Sequence, residues 1–159
     1  MDRDALFQSG MDLELPSTTR KEDLSYIGSY VSDDDRKDHF VVKNGVRCAG
    51  THLILELYGA EHLADIGHID KALRASVEAA GATLLHIHLH HFEPNGGISG
   101  VAVLAESHIS IHTWPECGYA ALDVFMCGAA EPEKCVPVLE KAFSARRVEV
   151  DTLLRGKDM

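Results

Sequence analysis

Between residues 82 and 127 four short strand-like runs follow one another, "ATLLHIHLHHF", "SGVAVLA", "HISIHTW" and "YAALDVFMC", with alternation of apolar and polar residues clearest in the first and third. A period of two places alternate side chains on opposite faces of a sheet, so each run reads as a strand with one buried face. The separators are brief and rich in turn formers, among them "EPNGG" and the Glu106-Ser107 pair. Connections this short join antiparallel neighbours, because a parallel crossover needs a dozen or more residues. A meander of this kind cannot bury its own inner face, so the remaining segments have to cover it.

Those segments suit the task. In "GTHLILELYGA" the run Leu53, Ile54, Leu55, Leu57 is short and bounded by Gly, as a core strand is. Ile66, Ile69, Leu73 and Val77 recur at helical spacing, with Asp65 at the start and Gly81 just past the end. A second helix is predicted from about Pro132, with Val136, Leu139, Ala142 and Phe143 as its inner face. "RRVEVDTLL" alternates again and supplies a last strand. The order β-α-β-β-β-β-α-β specifies an α+β fold, a two-layer α/β sandwich with a mostly antiparallel sheet and two helices on one face. The sheet's other face lacks cover, and pairing of two copies into a four-layer αββα dimer is the simplest remedy.

Residues 1–46 differ in character. "STTRKEDLSY" and "SDDDRKDHF" are dense in charge with scattered apolar residues, and predict a mobile extension ahead of a domain at 47–159. The formal charge of −10 argues against a nucleic-acid partner, which favours basic surfaces. No apolar run approaches the ~20 residues of a membrane span, and "MDRDALFQSGMD" has no secretory core, so a cytoplasmic location is expected. Cys48, Cys117, Cys127 and Cys135 form no CxxC pair and read as reduced thiols.

The chemistry concentrates in "AESHISIHTWPECGYAALDVFMCG", residues 105–128. Three readings compete for it and its neighbourhood. His86, His88 and His90 share one strand face, with His91 on the other, which would allow a His-rich metal-binding protein without enzymatic activity. Strand neighbours two apart are about 6–7 Å from each other, wide for chelation unless another element closes the shell. Ser107 has His108 beside it and His112 further along, but no G-x-S-x-G elbow of a hydrolase. The third reading makes Ser107 a target. Its hydroxyl attacks the carbonyl of Glu106, exchanging an amide for an ester. β-Elimination then breaks the chain and leaves dehydroalanine, which hydrolyses to a pyruvoyl group and ammonia. That sequence needs a proton carrier and oxyanion donors, for which His112 and Ser99 are candidates.

"ESHISIHTWPE" followed by "GYAALDVFMCG" closely resembles the processing and catalytic segment of the prokaryotic S-adenosylmethionine decarboxylase proenzymes, which are pyruvoyl-dependent. "HHFEPNGGISG" resembles the segment before it and "GTHLILELYGA" the first strand, so the resemblance spans roughly residues 50–155. It implies self-cleavage between Glu106 and Ser107, with Ser107 becoming a covalent pyruvoyl cofactor. His112 matches the processing histidine, Ser99 the serine assisting it, and Cys127 the catalytic proton donor. Phe92, Trp114 and Glu116 fall at positions expected to line the substrate pocket. The implied reaction removes CO2 from S-adenosylmethionine, giving the aminopropyl donor for spermidine. The cofactor's ketone condenses with the substrate amine and takes up the electron pair that CO2 leaves behind. Processed protomers are expected to pair, with sites near the subunit interface, and no metal is required. Cys117 departs from the usual residue after "WPE", and residues 1–46 have no counterpart in the pattern. A pyruvoyl enzyme acting on ornithine or arginine is the nearest rival, because the processing motif builds the cofactor without selecting the substrate.

Overall fold

In the computed structural model, which describes residues 40–158, the alternating runs pair into a single antiparallel sheet. Its strands are β3 (Gly50–Tyr58), β4 (Leu84–His91), β5 (Ile98–Leu104), β6 (Ser107–Trp114), β7 (Tyr119–Met126) and β8 (Arg147–Arg155), preceded by a separate hairpin of β1 (Val41–Lys43) and β2 (Val46–Cys48). The spatial order β4-β5-β6-β7-β3-β8 threads the first long strand between two later ones, and every pairing is antiparallel. Helix α1 (Ile66–Ala79) leads from β3 to β4, and α2 (Cys135–Ala142) from β7 to β8. The architecture is the expected α+β sandwich.

The hairpin β1–β2 straddles the boundary drawn at 46/47 from charge density; residues 1–39 of the predicted extension lie outside the described residues. Its turn, Asn44-Gly45, has both residues at positive φ (52° and 77°), the arrangement of a type I′ turn.

Local chemistry fixes the helix ends. Asp65 caps α1 by accepting the His68 backbone N–H at 2.9 Å, which holds its carboxyl below the ordinary range. Gly81, at φ 69°, then turns the chain away after Ala80. The second helical stretch opens with a 3-10 turn, Pro132–Lys134, before α2 proper. Leu53, Leu55 and Leu57 from β3, Ile109 and Ile111 from β6, and Leu122 and Val124 from β7 point to one side. There they pack with Ile69, Leu73, Leu139 and Phe143 of the helical layer. Fully burying each such side chain contributes about 1.5–3 kcal/mol.

The opposite face carries the polar half of the alternation. Register aligns its residues in cross-strand rows: His90, Ser99, His112, Ala121, Glu56; His88, Val101, Ser110, Asp123, Ile54; and His86, Val103, His108, Phe125, His52. No helix covers this face among the described residues.

Candidate active site

The β5–β6 hairpin closes with the two residues Ala105 and Glu106 between the paired Leu104 and Ser107. Glu106 has φ 60°, a left-handed conformation that a side-chain-bearing residue adopts at a cost. Positive φ at the second turn position alone is the type II pattern, whose twist fits a hairpin poorly. Such local strain is of the order of 1–3 kcal/mol. It falls on the peptide bond at which the resemblance implies cleavage. Ser107 Oγ accepts a hydrogen bond from the Cys127 backbone N–H at 3.1 Å, which joins the turn to the end of β7. Glu106, Ser107 and Cys127 thus come together, around a cavity of about 310 Å³ also lined by Thr83 and Gly128.

Cys127 is half-buried, and burial, assisted by the nearby Glu106 carboxylate and Cys48, pushes its thiol pKa up. A thiol so placed keeps its proton at neutral pH and is available as a donor. Gly50 makes room for it. A Cβ there would lie 2.5 Å from Met126 O, 2.9 Å from Phe125 Cε2 and 3.1 Å from Cys127 Sγ.

The other predicted residues gather at the far end of β5 and β6. Ser99 and His112 are a cross-strand pair whose Oγ and Nδ1 are hydrogen-bonded at 2.8 Å. With Phe92, Trp114 and Glu116 they line a second cavity of about 330 Å³. Thr113 anchors this end. Its buried hydroxyl accepts from Ile98 N–H and donates to the Leu63 carbonyl, both at 2.8 Å. Trp114 stacks on Tyr119 at 5.2 Å and Tyr119 on Tyr58 at 5.5 Å. The Tyr119 hydroxyl donates to the Glu56 carboxylate, and its pKa is pushed up to about 12. His112 stands five residues along β6 from Ser107, about 17 Å at ~3.4 Å per residue. One chain therefore does not bring His112 and Ser99 to Ser107.

The histidine strand does what its alternation says: His86, His88 and His90 lie opposite Val103, Val101 and Ser99 on the uncovered face. Among the described residues no three His, Cys, Asp or Glu side chains converge as a metal cage. Nor is a described helix long and apolar enough to cross a membrane. Cys117 is exposed beside Glu116, away from Cys127 at the other end of β7.

The alternation alone does not reveal a side-chain chain crossing four strands of the uncovered face. Ser110 donates to Asp123 at 3.0 Å, Asp123 meets His52 Nε2 at 3.1 Å, and Arg155 meets His52 Nδ1 at 3.1 Å. Arginine can only donate, so His52 Nδ1 is the acceptor and Nε2 carries the proton given to Asp123.

Comparison with known proteins agrees with this architecture. The family profile described as S-adenosylmethionine decarboxylase matches residues 51–156. An S-adenosylmethionine decarboxylase proenzyme from Thermomicrobium roseum is 45% identical over 112 residues, covering 70% of this chain and 97% of the relative. One from Methanococcus maripaludis is 52% identical over 110 residues, 67% of this chain and 89% of its own. The crystal structure of an adenosylmethionine decarboxylase from Aquifex aeolicus superposes with a TM-score of 0.60 at 34% identity, covering 69% of this chain and 92% of that one. The fold is therefore that of a decarboxylase whose structure has been solved. The chain belongs to the S-adenosylmethionine decarboxylase family.

Proposed function

We propose that the protein cuts itself between Glu106 and Ser107 and then decarboxylates S-adenosylmethionine. The observation that carries this reading is the left-handed Glu106 in a two-residue hairpin turn, followed by a serine hydroxyl that Cys127 N–H holds at 3.1 Å. The surroundings fit a pyruvoyl group at position 107: a cavity of about 310 Å³ opens beside it, and a protonated thiol stands at the cavity wall. That group supplies a ketone, conjugated to its amide, which accepts the electron pair released with CO2.

The chain's own residues have separate tasks. Ser107 Oγ attacks the Glu106 carbonyl carbon, the C–N bond breaks, and relief of the turn favours the ester. Loss of the Ser107 α-proton with cleavage of its Cβ–O bond separates residues 1–106 from 107–159. In turnover, Cys127 gives its S–H proton to the substrate carbon that loses CO2. Phe92 and Trp114, 48% and 41% exposed, offer ring faces to adenine and to the sulfonium, an attraction of about 0.5–2 kcal/mol. Glu116 accepts from ribose hydroxyls.

Separation of the Ser99–His112 pair from Ser107 along β6 supports completion of the site by a second copy. Two uncovered sheet faces, each carrying the His-rich rows, pack into a four-layer αββα dimer. In that arrangement His112 and Ser99 of one copy serve Ser107 of the other.

Intact mass under denaturing conditions tests the processing step. Two chains, 1–106 and a ketone-blocked 107–159, are expected, and Ser107→Ala stays whole. CO2 release from S-adenosylmethionine, ornithine and arginine offered separately tests the substrate. Release from either basic amino acid alone would replace this assignment with the rival one.

A further inference from the structure

Loss of CO2 from a carboxylate leaves an electron pair that takes up a proton, so each turnover consumes one proton from solvent. A thiol that delivers it becomes a thiolate and needs a resupply. On the uncovered face, Cys127 stands two residues beyond Phe125, whose partner across β6–β7 is His108 and across β7–β3 is His52. Continuing the register one residue past the end of β7 makes Cys127 the diagonal neighbour of both imidazoles, a spacing of about 7–8 Å. A ring and a thiol span that gap directly or through one water. Phe125 and the Cys127 sulfur meet at Gly50, which presents no side chain between them.

The two imidazoles differ in what they are free to do. His52 is locked, with Nδ1 taken by Arg155 and Nε2 by Asp123. It meets the Phe125 ring edge-on at 5.9 Å and His108 at 6.3 Å, forming with them a continuous wall beside Cys127. His108 forms no hydrogen bond among the described residues. It also directly follows Ser107, so cleavage leaves it one residue from the new chain end. Of the two proton carriers touching this corner, His108 is the one with both ring nitrogens available.

We propose that His108 returns the proton to Cys127 in every cycle, and that the Asp123–His52–Arg155 chain holds the ring wall in which it stands. The inference rests on the reading of Cys127 as the group that protonates substrate carbon. The step balances simply. The S–H bond breaks as the new C–H bond forms, leaving the pair on sulfur. The His108 ring takes a proton from solvent, then its N–H bond breaks as S–H re-forms, returning the imidazole to neutral. Partial burial, with His52 beside it, favours that neutral state by pushing the His108 pKa down; Asp123 opposes weakly. The charged groups acting on it are His52 on β3 and Asp123 on β7, with His86 of β4 in the same row beyond Val103 and the Cys127 thiol one register step past the end of β7, itself acted on by Glu106.

The test is His108→Gln in the full chain, read in two ways. In split protein, kcat is expected to fall about 10²-fold at neutral pH with KM unchanged, and added imidazole to restore part of it. The solvent deuterium isotope effect on kcat is expected to rise in the same variant, because return of a proton to the Cys127 thiolate then limits the cycle. A wild-type kcat, an unchanged isotope effect, or a lost kcat that imidazole does not restore overturns the proposal. Asp123→Asn is the second variant. It should lower kcat and raise the isotope effect partway without imidazole rescue, and wild-type values in it would overturn the positioning role. If the wild-type chain does not split, the functional reading fails; if it splits and decarboxylates while His108→Gln turns over like wild type, the His108 proposal alone fails.

Discussion

The missing side chain at Gly50 is a tight spatial constraint beside Cys127, and Gly50→Ala turns it into a measurement. The new methyl carbon would sit 2.5 Å from Met126 O, where about 3.5 Å is a comfortable contact, and 3.1 Å from Cys127 Sγ. The oxygen belongs to the β7 backbone and cannot rotate away, so β3 and β7 must separate by about 1 Å at this end. Overpacking of this kind costs about 1–3 kcal/mol. Displacing the thiol by a similar distance costs about 10²-fold in rate on general grounds. Gly67→Ala is the control: in α1 its Cβ meets nothing nearer than Asp65 Oδ1 at 3.4 Å, and a helical Gly→Ala gains up to about 1 kcal/mol. Denaturant midpoints and CO2 release for the two variants give opposite signs in stability and a turnover defect only at Gly50. A Gly50→Ala protein with wild-type midpoint and turnover would refute the steric argument.

Further outcomes follow from the same structure. Thr113→Val leaves the buried Ile98 N–H and Leu63 carbonyl without their partner, and should lower unfolding free energy by about 2–4 kcal/mol in a denaturant titration. Phe143→Ala, which empties a fully buried site under α2, should cost about 3–5 kcal/mol. The four thiols should separate under alkylation, with exposed Cys117 modified first and buried Cys135 only on unfolding. The Cys135 pKa is raised by burial, and by Glu133, from 9.0 to about 12. Between those values the unfolded chain carries fewer protons than the folded one, so stability should decline as pH rises above about 9.

Elements with a local cause could be read from the chain. Alternation set β4 and β6, short apolar runs bounded by turns set β5 and β7, helical spacing set α1, and Pro132 marked the entry to the second helical stretch. The β1–β2 hairpin also had a local signal, Asn44-Gly45 between short apolar pairs, hidden by the charge density of the preceding segment. The insertion of β3 between β7 and β8 had none, because nothing in "GTHLILELYGA" names its partners. The same limit applies to the site. Residue types and resemblance pointed to Ser107, Cys127 and His112, and the strand run "HISIHTW" already puts His112 five residues on from Ser107; what only the register shows is that Ser99 pairs with His112 at that far end. The Ser110–Asp123–His52–Arg155 chain draws on four strands distant in sequence, so no spacing rule could find it.

The threading of β3 has one more outcome. If the bond after Glu106 is cut, the first fragment owns β3, β4 and β5 and the second owns β6, β7 and β8, so the order across the sheet reads first, first, second, second, first, second. The fragments are interleaved like fingers of two hands, with one strand of the first gripped on both edges by the second. Scission therefore releases nothing. It does convert melting from a one-body to a two-body event, and the melting temperature of the matured protein should climb with its concentration while that of Ser107→Ala, with its bond intact, depends on it less.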